Sequence, residues 1–418
     1  IQDFYTKAPY PIGLVSKLLD ACDPKLLTLG ALFHDIAKGQ GGSHSEKGAL
    51  IAHQFCHALQ LSPKDCEFVA WLVEEHLTLS QTARTKDISD PSIIASVAAK
   101  MKDIRHLHHL YVMTVADILA TNPTLWNKWQ ETLLKNLVQT LHDFLDVTEK
   151  PLKPHEAMSL VQNEALKLLS AKGLTQEAVL SIWAPLGDEY FQIESPDTIA
   201  WHTSLIHQSF PDKLPIVALQ PHGAQGGTEI FIFAPDRSHL FAMVAATLDK
   251  LRPSVVQARI ITSQNAFCLN TFVVLESDGM PISSPHRKLE IEHTLKALLT
   301  PLLDPNKPTP IIPYVSHRVR RSLRFFKHQA KVNMTHSEKL NKTILEVHAP
   351  DFPGLLARLG EAFMACDIFV HGAKINTLGK RVEDIFIITE RQGNRPLISE
   401  EAKLNLKSVI LDKLGRYF

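Results

Sequence analysis

At 418 residues the chain exceeds what one hydrophobic core usually serves, so two to four domains are expected, and a 45% hydrophobic fraction is enough to fill them. The 44 basic residues balance the 44 acidic ones, which removes the global field that would recruit nucleic acid or a membrane surface. No apolar run reaches membrane-spanning length and no signal peptide opens the chain, so a folded cytoplasmic protein is expected. Cys22, Cys56, Cys66, Cys268 and Cys366 form no CxxC pair and read as reduced, structural thiols. The first residue is Ile1 rather than methionine, which reads as a piece of a longer polypeptide.

From residue 1 to about residue 140 the apolar periodicity is helical, punctuated at Gly39, Ser62-Pro63, Asp90-Pro91 and Asn122-Pro123. The stretch that organises the rest is residues 26–48, LLTLGALFHDIAKGQGGSHSEKG. An apolar helix delivers an adjacent His34-Asp35 pair, Lys38 follows one turn later, and a glycine-rich turn presents His44. Successive helical side chains diverge by roughly 100°, so His34 and Asp35 can reach one cation from neighbouring directions, while Leu29, Ala31, Leu32 and Ile36 are expected in a core. Imidazole and carboxylate donors suit Mg²⁺, Mn²⁺, Fe or Zn²⁺. A lone His-Asp pair also suits a surface cap, but further ligands favour the metal: His76 closes the apolar run FVAWLVEEHL, and Asp117 lies in HLYVMTVADILATN, whose helix can return a carboxylate to the first. Lys38 projects over the same rim, to bind a phosphate oxygen or to answer the helix dipole. Asn122 and Trp126 either line the site or cap and pack the next helix. His53 and His57, like His106, His108 and His109, read as polar helix surface, with His109 two turns before Asp117.

This order of HD, H, H and D on successive helices resembles the HD-domain superfamily of metal-dependent phosphohydrolases. The resemblance implies a helical bundle in which His34, Asp35 and Asp117 hold a divalent metal, while His44 and His76 hold a second ion or position substrate. It also implies a histidine upstream of the doublet; residues 1–33 contain none, and Glu75 stands where some members double the histidine.

Residues 141–213 continue helical, broken at Pro151, Pro154, Gly173, Pro185 and Pro196, and carry aromatic residues but no ligand constellation. After a turn at residues 221–227 the pattern changes. EIFIFAPDRSHLFAMVAATLDKL, VVQARIITS, FCLNTFVVLE and HRKLEIEHTLKALLTPLL read strand-helix, strand, strand, helix, and a second copy starts at TILEVHAPDFPGLLARLGEAFMACD. Superposition pairs Asp236 with Asp351, Ala258 with Ala373 and Phe272 with Phe386, a repeat of about 115 residues. Between the copies a proline-rich stretch precedes a basic tract, Arg318 to Lys327, read as a solvated connector.

The βαββαβ order, with D-x-P-G-L opening the second copy's first helix, resembles the ACT domain. That resemblance implies side-by-side pairing and a small amino-acid ligand, held by the helix amides at Gly354 and Leu355 and by Asp351. Asp236 is the first-copy counterpart, where Ser238-His239 replaces Pro353-Gly354. An HD domain followed by two ACT domains, with FHDIAKGQGGSHSEKGA, TVADILATNPTLWNKW, QGGTEIFIFAPDRSHLFA and VHGAKINTLGKRVEDIFII, is similar to the family of bifunctional PII uridylyltransferase/uridylyl-removing enzymes. The similarity implies an all-α HD domain at 1–145, an accessory helical layer at 146–225, ferredoxin-like ACT domains at 226–305 and 341–418, and a linker at 306–340. It implies metal-dependent release of UMP from uridylylated PII, with Mg²⁺ or Mn²⁺ as cofactor, Asp35 and Lys38 as catalytic residues and glutamine as effector. The full-length family also transfers UMP; no Gly-Ser with an Asp-x-Asp doublet precedes the HD helix here, so the transferase half is expected to be missing. Homo-oligomerisation stays open. Two alternatives stand beside this reading: an HD hydrolase of a nucleotide such as guanosine tetraphosphate, and a non-catalytic amino-acid sensor.

Overall fold

The computed structural model describes residues 1, 13–86, 88, 91–121, 126–146, 154–220, 226–237, 240–304, 330–338, 340–350, 352, 354–375, 377–378, 381–391 and 395–415. The chain divides into two compact units, Ile1–Leu152 and Lys153–Phe418. The basic tract at 318–327, Asn122, Asp351, Pro353 and Ser238-His239 lie outside the described residues.

The first unit is helical: α1 Gly13–Leu18, α2 Pro24–Phe33, α3 His44–Ala58, α4 Pro63–Glu75, α5 Thr78–Thr85, α6 Pro91–Met101, α7 Ile104–Thr121 and α8 Lys128–Asp146. Its helices start where short polar side chains satisfy otherwise orphaned amides. Asp23 accepts from the amides of Lys25 and Leu26 ahead of α2, Ser43 from Glu46 ahead of α3, and Ser62 from Asp65 ahead of α4. Leu26, Leu27, Phe33, Leu72, Val73, Leu110 and Met113 are buried in one core. Two expectations about α2 fail. Leu32 is 65% exposed, because the buried stripe of α2 is set by Leu26, Leu27, Gly30 and Phe33 and Leu32 falls off that face; Ile36, 47% exposed, lies in the turn past the end of the helix. Gly30 fixes it: a Cβ there would lie 3.0 Å from Met113 Sδ and 3.2 Å from Leu72 Cδ1, so its missing side chain lets α2 close on α4 and α7.

His109 is likewise no surface residue. It is fully buried; its Nε2 accepts the Asp23 amide at 2.8 Å and its Nδ1 bonds the Arg105 carbonyl at 2.8 Å. Nε2 ties α7 to the start of α2, and Nδ1 is spent within α7 itself.

The second unit begins with helices α9 Pro154–Ala171, α10 Gln176–Trp183, α11 Asp188–Ile193 and α12 Pro196–Ser209. Next come β1 Ile216–Gln220, β2 Thr228–Pro235, α13 Leu240–Leu251, β3 Ser254–Thr262, β4 Phe267–Leu275 and α14 Pro285–Leu299. The repeat follows as β5 Lys331–Ser337, β6 Lys342–Pro350, α15 Leu355–Ala365, β7 Ile368–Lys374, β8 Thr377–Leu378, β9 Arg381–Glu390 and α16 Glu400–Gly415. The order β1-β2-β4-β3-β7-β9-β6-β5 is one continuous sheet, palindromic under the repeat.

These are ACT-like α+β modules, with one difference from the expected order. Among the described residues the outer strand of each module, β1 or β5, precedes the module's first strand instead of following its last helix. Short runs such as IVALQ and KVNMTHS, set apart from the main repeat, did not declare themselves as strands. The modules join through β3 and β7, where Ala258 faces Ala373, each being the other's repeat image. Bulges between Val255 and Gln257 and between Val370 and Gly372 also fall at the same repeat positions. Helices α13 and α15 pack where Gly360 meets Ala242, a Cβ at Gly360 falling 2.7 Å from the alanine's. On the opposite face Trp183, Tyr190, Ile199 and Ile206 of the helical layer cover Phe231, Phe233 and Leu269. Beneath that cover Arg259 meets Glu194 at 3.1 Å, and neither carboxylate oxygen of buried Glu229 has a hydrogen-bond partner among the described residues.

Candidate functional site

Four local structures deliver the ligands in the helical unit. His34 caps the end of α2 and Asp35 follows it; His76 caps the end of α4; His44 opens α3; Asp117 sits within α7. Gly39, Gly41 and Gly42, between Asp35 and His44, take φ of +87°, +72° and +67°, the left-handed region where a side chain is strained. Lys47 closes that turn by donating to the carbonyls of Gln40 and Gly41 at 3.1 and 2.7 Å.

All five predicted ligands converge on one place. His34 Nε2 lies 3.3 Å from Asp117 Oδ1 and 3.7 Å from Asp35 Oδ2. On the other side, Asp35 Oδ1 lies 3.5 Å from His44 Nε2 and 3.9 Å from His76 Nε2. Asp35 therefore bridges two half-sets, one with His34 and Asp117, the other with His44 and His76. Donor atoms bound at 2.0–2.2 Å to a shared cation sit roughly 3.0–3.6 Å apart, close to these spacings.

The ring orientations fit a cation as well. His34 Nδ1 bonds the Ala31 carbonyl at 2.8 Å and His76 Nδ1 the Val73 carbonyl at 2.7 Å. Donation from Nδ1 leaves Nε2 as the ligand atom, and such anchoring of the second nitrogen is how metal-binding imidazoles are aimed. Thr121 Oγ1 donates to Asp117 Oδ1 at 3.1 Å. Lone pairs of imidazole and carboxylate converging in this way are stable only around positive charge.

Electrostatics follow from the same contacts. Asp117 raises the His34 imidazole above its usual range and is itself held low by His34. Burial pushes His76 down, keeping it in the neutral form that a ligand needs. Burial would raise the Asp35 carboxyl, but Lys38, His34 and His76 together outweigh it and hold it low. Lys38 Nζ pairs with Asp35 Oδ2 at 2.7 Å and remains 69% exposed, so it stands at the mouth of the cluster. Glu75 turns away, bonding Thr78 and Lys100. Trp126 packs on the core, and His53 and His57 are exposed.

In the second unit Asp236 lines a groove between the two modules with Phe369, His371 and Arg391. The Gly354 amide, before Leu355, donates to Asp249 Oδ1 at 2.9 Å. Asp249, Asn270 and Arg391 were not singled out from the sequence. Asn270 left a signal, a polar residue inside the apolar strand FCLNTFVVL; Arg391 left none, because it comes from the other module.

Comparison with known proteins agrees with this geometry. The family model described as "HD domain" matches residues 12–122, and "Uridylyltransferase GlnD fifth domain" matches 153–205, the stretch read as an accessory helical layer. The chain is 42% identical over 411 residues to a bifunctional uridylyltransferase/uridylyl-removing enzyme of Stutzerimonas stutzeri. It is 41% identical over 413 residues to proteins of the same name from Pseudomonas aeruginosa and Azotobacter vinelandii. Each alignment covers 97% of this chain and 45% of the relative, so the chain spans somewhat less than half the length of these curated relatives. No solved structure gives a significant match. No helix among the described residues is long and apolar enough to cross a membrane.

Proposed function

We propose that the chain is a segment of a bifunctional uridylyltransferase/uridylyl-removing enzyme, spanning less than half the length of the relatives it matches, and that it carries the uridylyl-removing activity. The reaction is hydrolysis of the phosphodiester joining UMP to a tyrosine of the PII signal protein, in the cytoplasm. The observation that carries the proposal is the convergence of His34, Asp35, His44, His76 and Asp117 within the segment matched by the HD model.

Asp35, Asp117 and the three imidazoles would hold a divalent cation, Mg²⁺ or Mn²⁺ by the oxygen content of the set, with Fe or Zn²⁺ compatible with its nitrogens. When bound, the cation supplies positive charge beside the phosphoryl oxygens and lowers the pKa of the attacking water. The protein's own residues do the rest. Asp35 spans both half-sets and fixes their separation. His34 and His76, pinned through Nδ1, hold the donor atoms in place without reorganisation. Lys38 exchanges its Asp35 contact for a non-bridging phosphate oxygen as substrate arrives. The leaving tyrosyl phenolate has a reference pKa of about 10, so it departs with less protonation than an alkoxide needs.

Glutamine is the effector, bound where the two modules meet, either beside Asp236 or beside Asp351, Gly354 and Leu355. It acts by differing affinity for active and inactive arrangements. Balanced charge gives no reason to invoke a nucleic-acid or membrane partner.

The test is incubation of the chain with uridylylated PII and Mn²⁺ or Mg²⁺, with and without glutamine, following UMP release. Glutamine should raise the rate, and Asp35→Ala should abolish both release and metal binding by elemental analysis. Full activity in the Asp35→Ala protein refutes the assignment.

A further inference from the structure

Six large apolar side chains of the helical unit are exposed among the described residues: Leu32, Ile36, Leu50, Phe55, Leu59 and Phe144. Four of them collect where the end of α2 meets α3. Gly48 marks that meeting: a Cβ there would lie 3.5 Å from the Phe33 carbonyl oxygen and 3.6 Å from Ile36 Cγ2. Two turns further along α3, the Phe55 ring lies 4.8 Å from that of Phe33. At 100° per residue, positions 44, 48, 55 and 59 fall within about 60° of one another, so His44, Gly48, Phe55 and Leu59 form one line down α3. Leu50 falls on the opposite side of that helix and Phe144 on α8, outside the line.

The line is continuous with the His/Asp cluster on both helices. On α2, Leu32 precedes Asp35 by three positions, the spacing of neighbours on a helical surface, and Lys38 follows Asp35 by three more and stands at the mouth. On α3 the line begins at His44 itself, whose Nε2 lies 3.5 Å from Asp35 Oδ1. It ends past Phe55, 40% exposed, at Leu59, 55% exposed. From His44 to Leu59 the strip runs about 22 Å at the helical rise per residue. Single exposed apolar residues need no explanation; several in a row leading away from a site mark a contact surface.

The occupant follows from the reaction. If the phosphodiester is attached to a side chain of a folded protein, that protein's surface must rest on the rim of the cluster for the bond to reach it. A strip of this length is longer than one nucleotide and on the scale of a protein-protein patch of roughly 800 Å² per partner.

We propose that the apolar strip formed by Leu32, Ile36, Phe55 and Leu59 is the docking surface for the protein that bears the UMP. That protein lays an apolar segment beside its modified tyrosine along α2 and α3, while the phosphodiester enters the cluster past Lys38. This rests on the uridylyl-removing reading above and adds the surface that distinguishes a protein substrate from a small phosphodiester. Contacts made equally before and during bond cleavage lower KM and leave kcat unchanged.

The test compares uridylylated PII with the 4-nitrophenyl ester of UMP, which offers a phosphodiester and a phenolate leaving group but no protein surface. Leu32→Glu and Leu59→Glu should each raise KM for uridylylated PII by roughly tenfold, because docking would bury a carboxylate against apolar atoms. Both should leave kcat on uridylylated PII and kcat/KM on the ester unchanged, and Phe144→Glu should alter neither substrate's kinetics. Thermal melts verify that the variants fold. An unchanged KM for uridylylated PII in the folded variants overturns the proposal, even where sedimentation shows a second copy of the chain leaving the strip. Equal losses on both substrates overturn it as well, since the residues would then support the cluster, and so does cleavage of the ester but not of uridylylated PII by the unaltered chain. Cleavage of neither substrate by the unaltered chain supplied with Mn²⁺ or Mg²⁺ overturns the uridylyl-removing reading itself.

Discussion

The His/Asp cluster of the helical unit and the groove of the paired sheet treat their polar atoms in opposite ways. Around the cluster three ligands are anchored by bonds of their own: His34 to Ala31, His76 to Val73 and Asp117 to Thr121. In the groove, Asn270 has both polar atoms unspent, and Asp236 has Thr262 at 3.5 Å. Anchored donors suit chemistry that must find its geometry ready; unspent ones suit an occupant that comes and goes. Fixity is concentrated in the cluster proposed to do chemistry, and unspent polar atoms in the groove proposed to take a ligand.

The strongest way to break this contrast is to remove a ligand. Asp117→Ala should reduce UMP release to background and lower bound metal by elemental analysis while the far-ultraviolet circular dichroism stays unchanged; retained turnover would mean that the anchoring serves only packing. Next is a buried charge in the sheet unit. Burial raises the Glu229 carboxyl to about 7, against the lowering influence of Arg259. A carboxyl raised on folding costs nothing below the unfolded value of about 4.5, costs more as pH climbs to about 7, and keeps the full cost above it. Glu229→Gln should therefore stabilise the protein by on the order of 3 kcal/mol at pH 8, with the gain shrinking as pH falls towards 4.5. Urea melts at several pH values measure this, and a pH-independent difference would refute it.

A smaller effect probes how the cluster is assembled. Gly30→Val overpacks the meeting of α2 with Leu72 and Met113 and should cost about 2 kcal/mol in urea unfolding, with weakened metal binding because His34 and Asp35 ride on that helix. A neutral outcome would show that α2 can retreat without disturbing its ligands. The mildest change is Thr121→Val, which removes only the bond behind Asp117. It should lower metal affinity by roughly tenfold, read by competition with a chromogenic chelator, with no change in melting temperature.

The convergence of the His/Asp cluster was largely legible in the sequence because its residues are spelled locally: a His-Asp pair, glycines that bend the chain, and a histidine or aspartate in or at the end of an apolar run. The repeat was legible too, since Ala258 and Ala373 occupy equal places in two similar strings and prove to face each other across β3 and β7. Periodicity failed where burial depends on a distant partner. Leu32 and Ile36 look like core, yet the side of α2 that faces inward is decided by Gly30 against α4 and α7, and Ile36 lies past the end of the helix. His109 looks like surface, yet two backbone groups bury it. The edge strands β1 and β5 were missed because their role is set by the sheet they join, and Arg391 because its neighbours in space come from the other module.

The seam between β3 and β7 has a practical consequence for anyone dissecting this protein. Its register pairs are only Gln257 with Lys374, Ala258 with Ala373 and Arg259 with Gly372, but they cover the inner margin of both modules. Severing the polypeptide between them would bare two rows of peptide groups that readily recruit another strand. Isolated halves are therefore expected to pair with themselves through the vacated margin, and assays on such fragments would describe artificial homodimers instead of the natural heterologous pair.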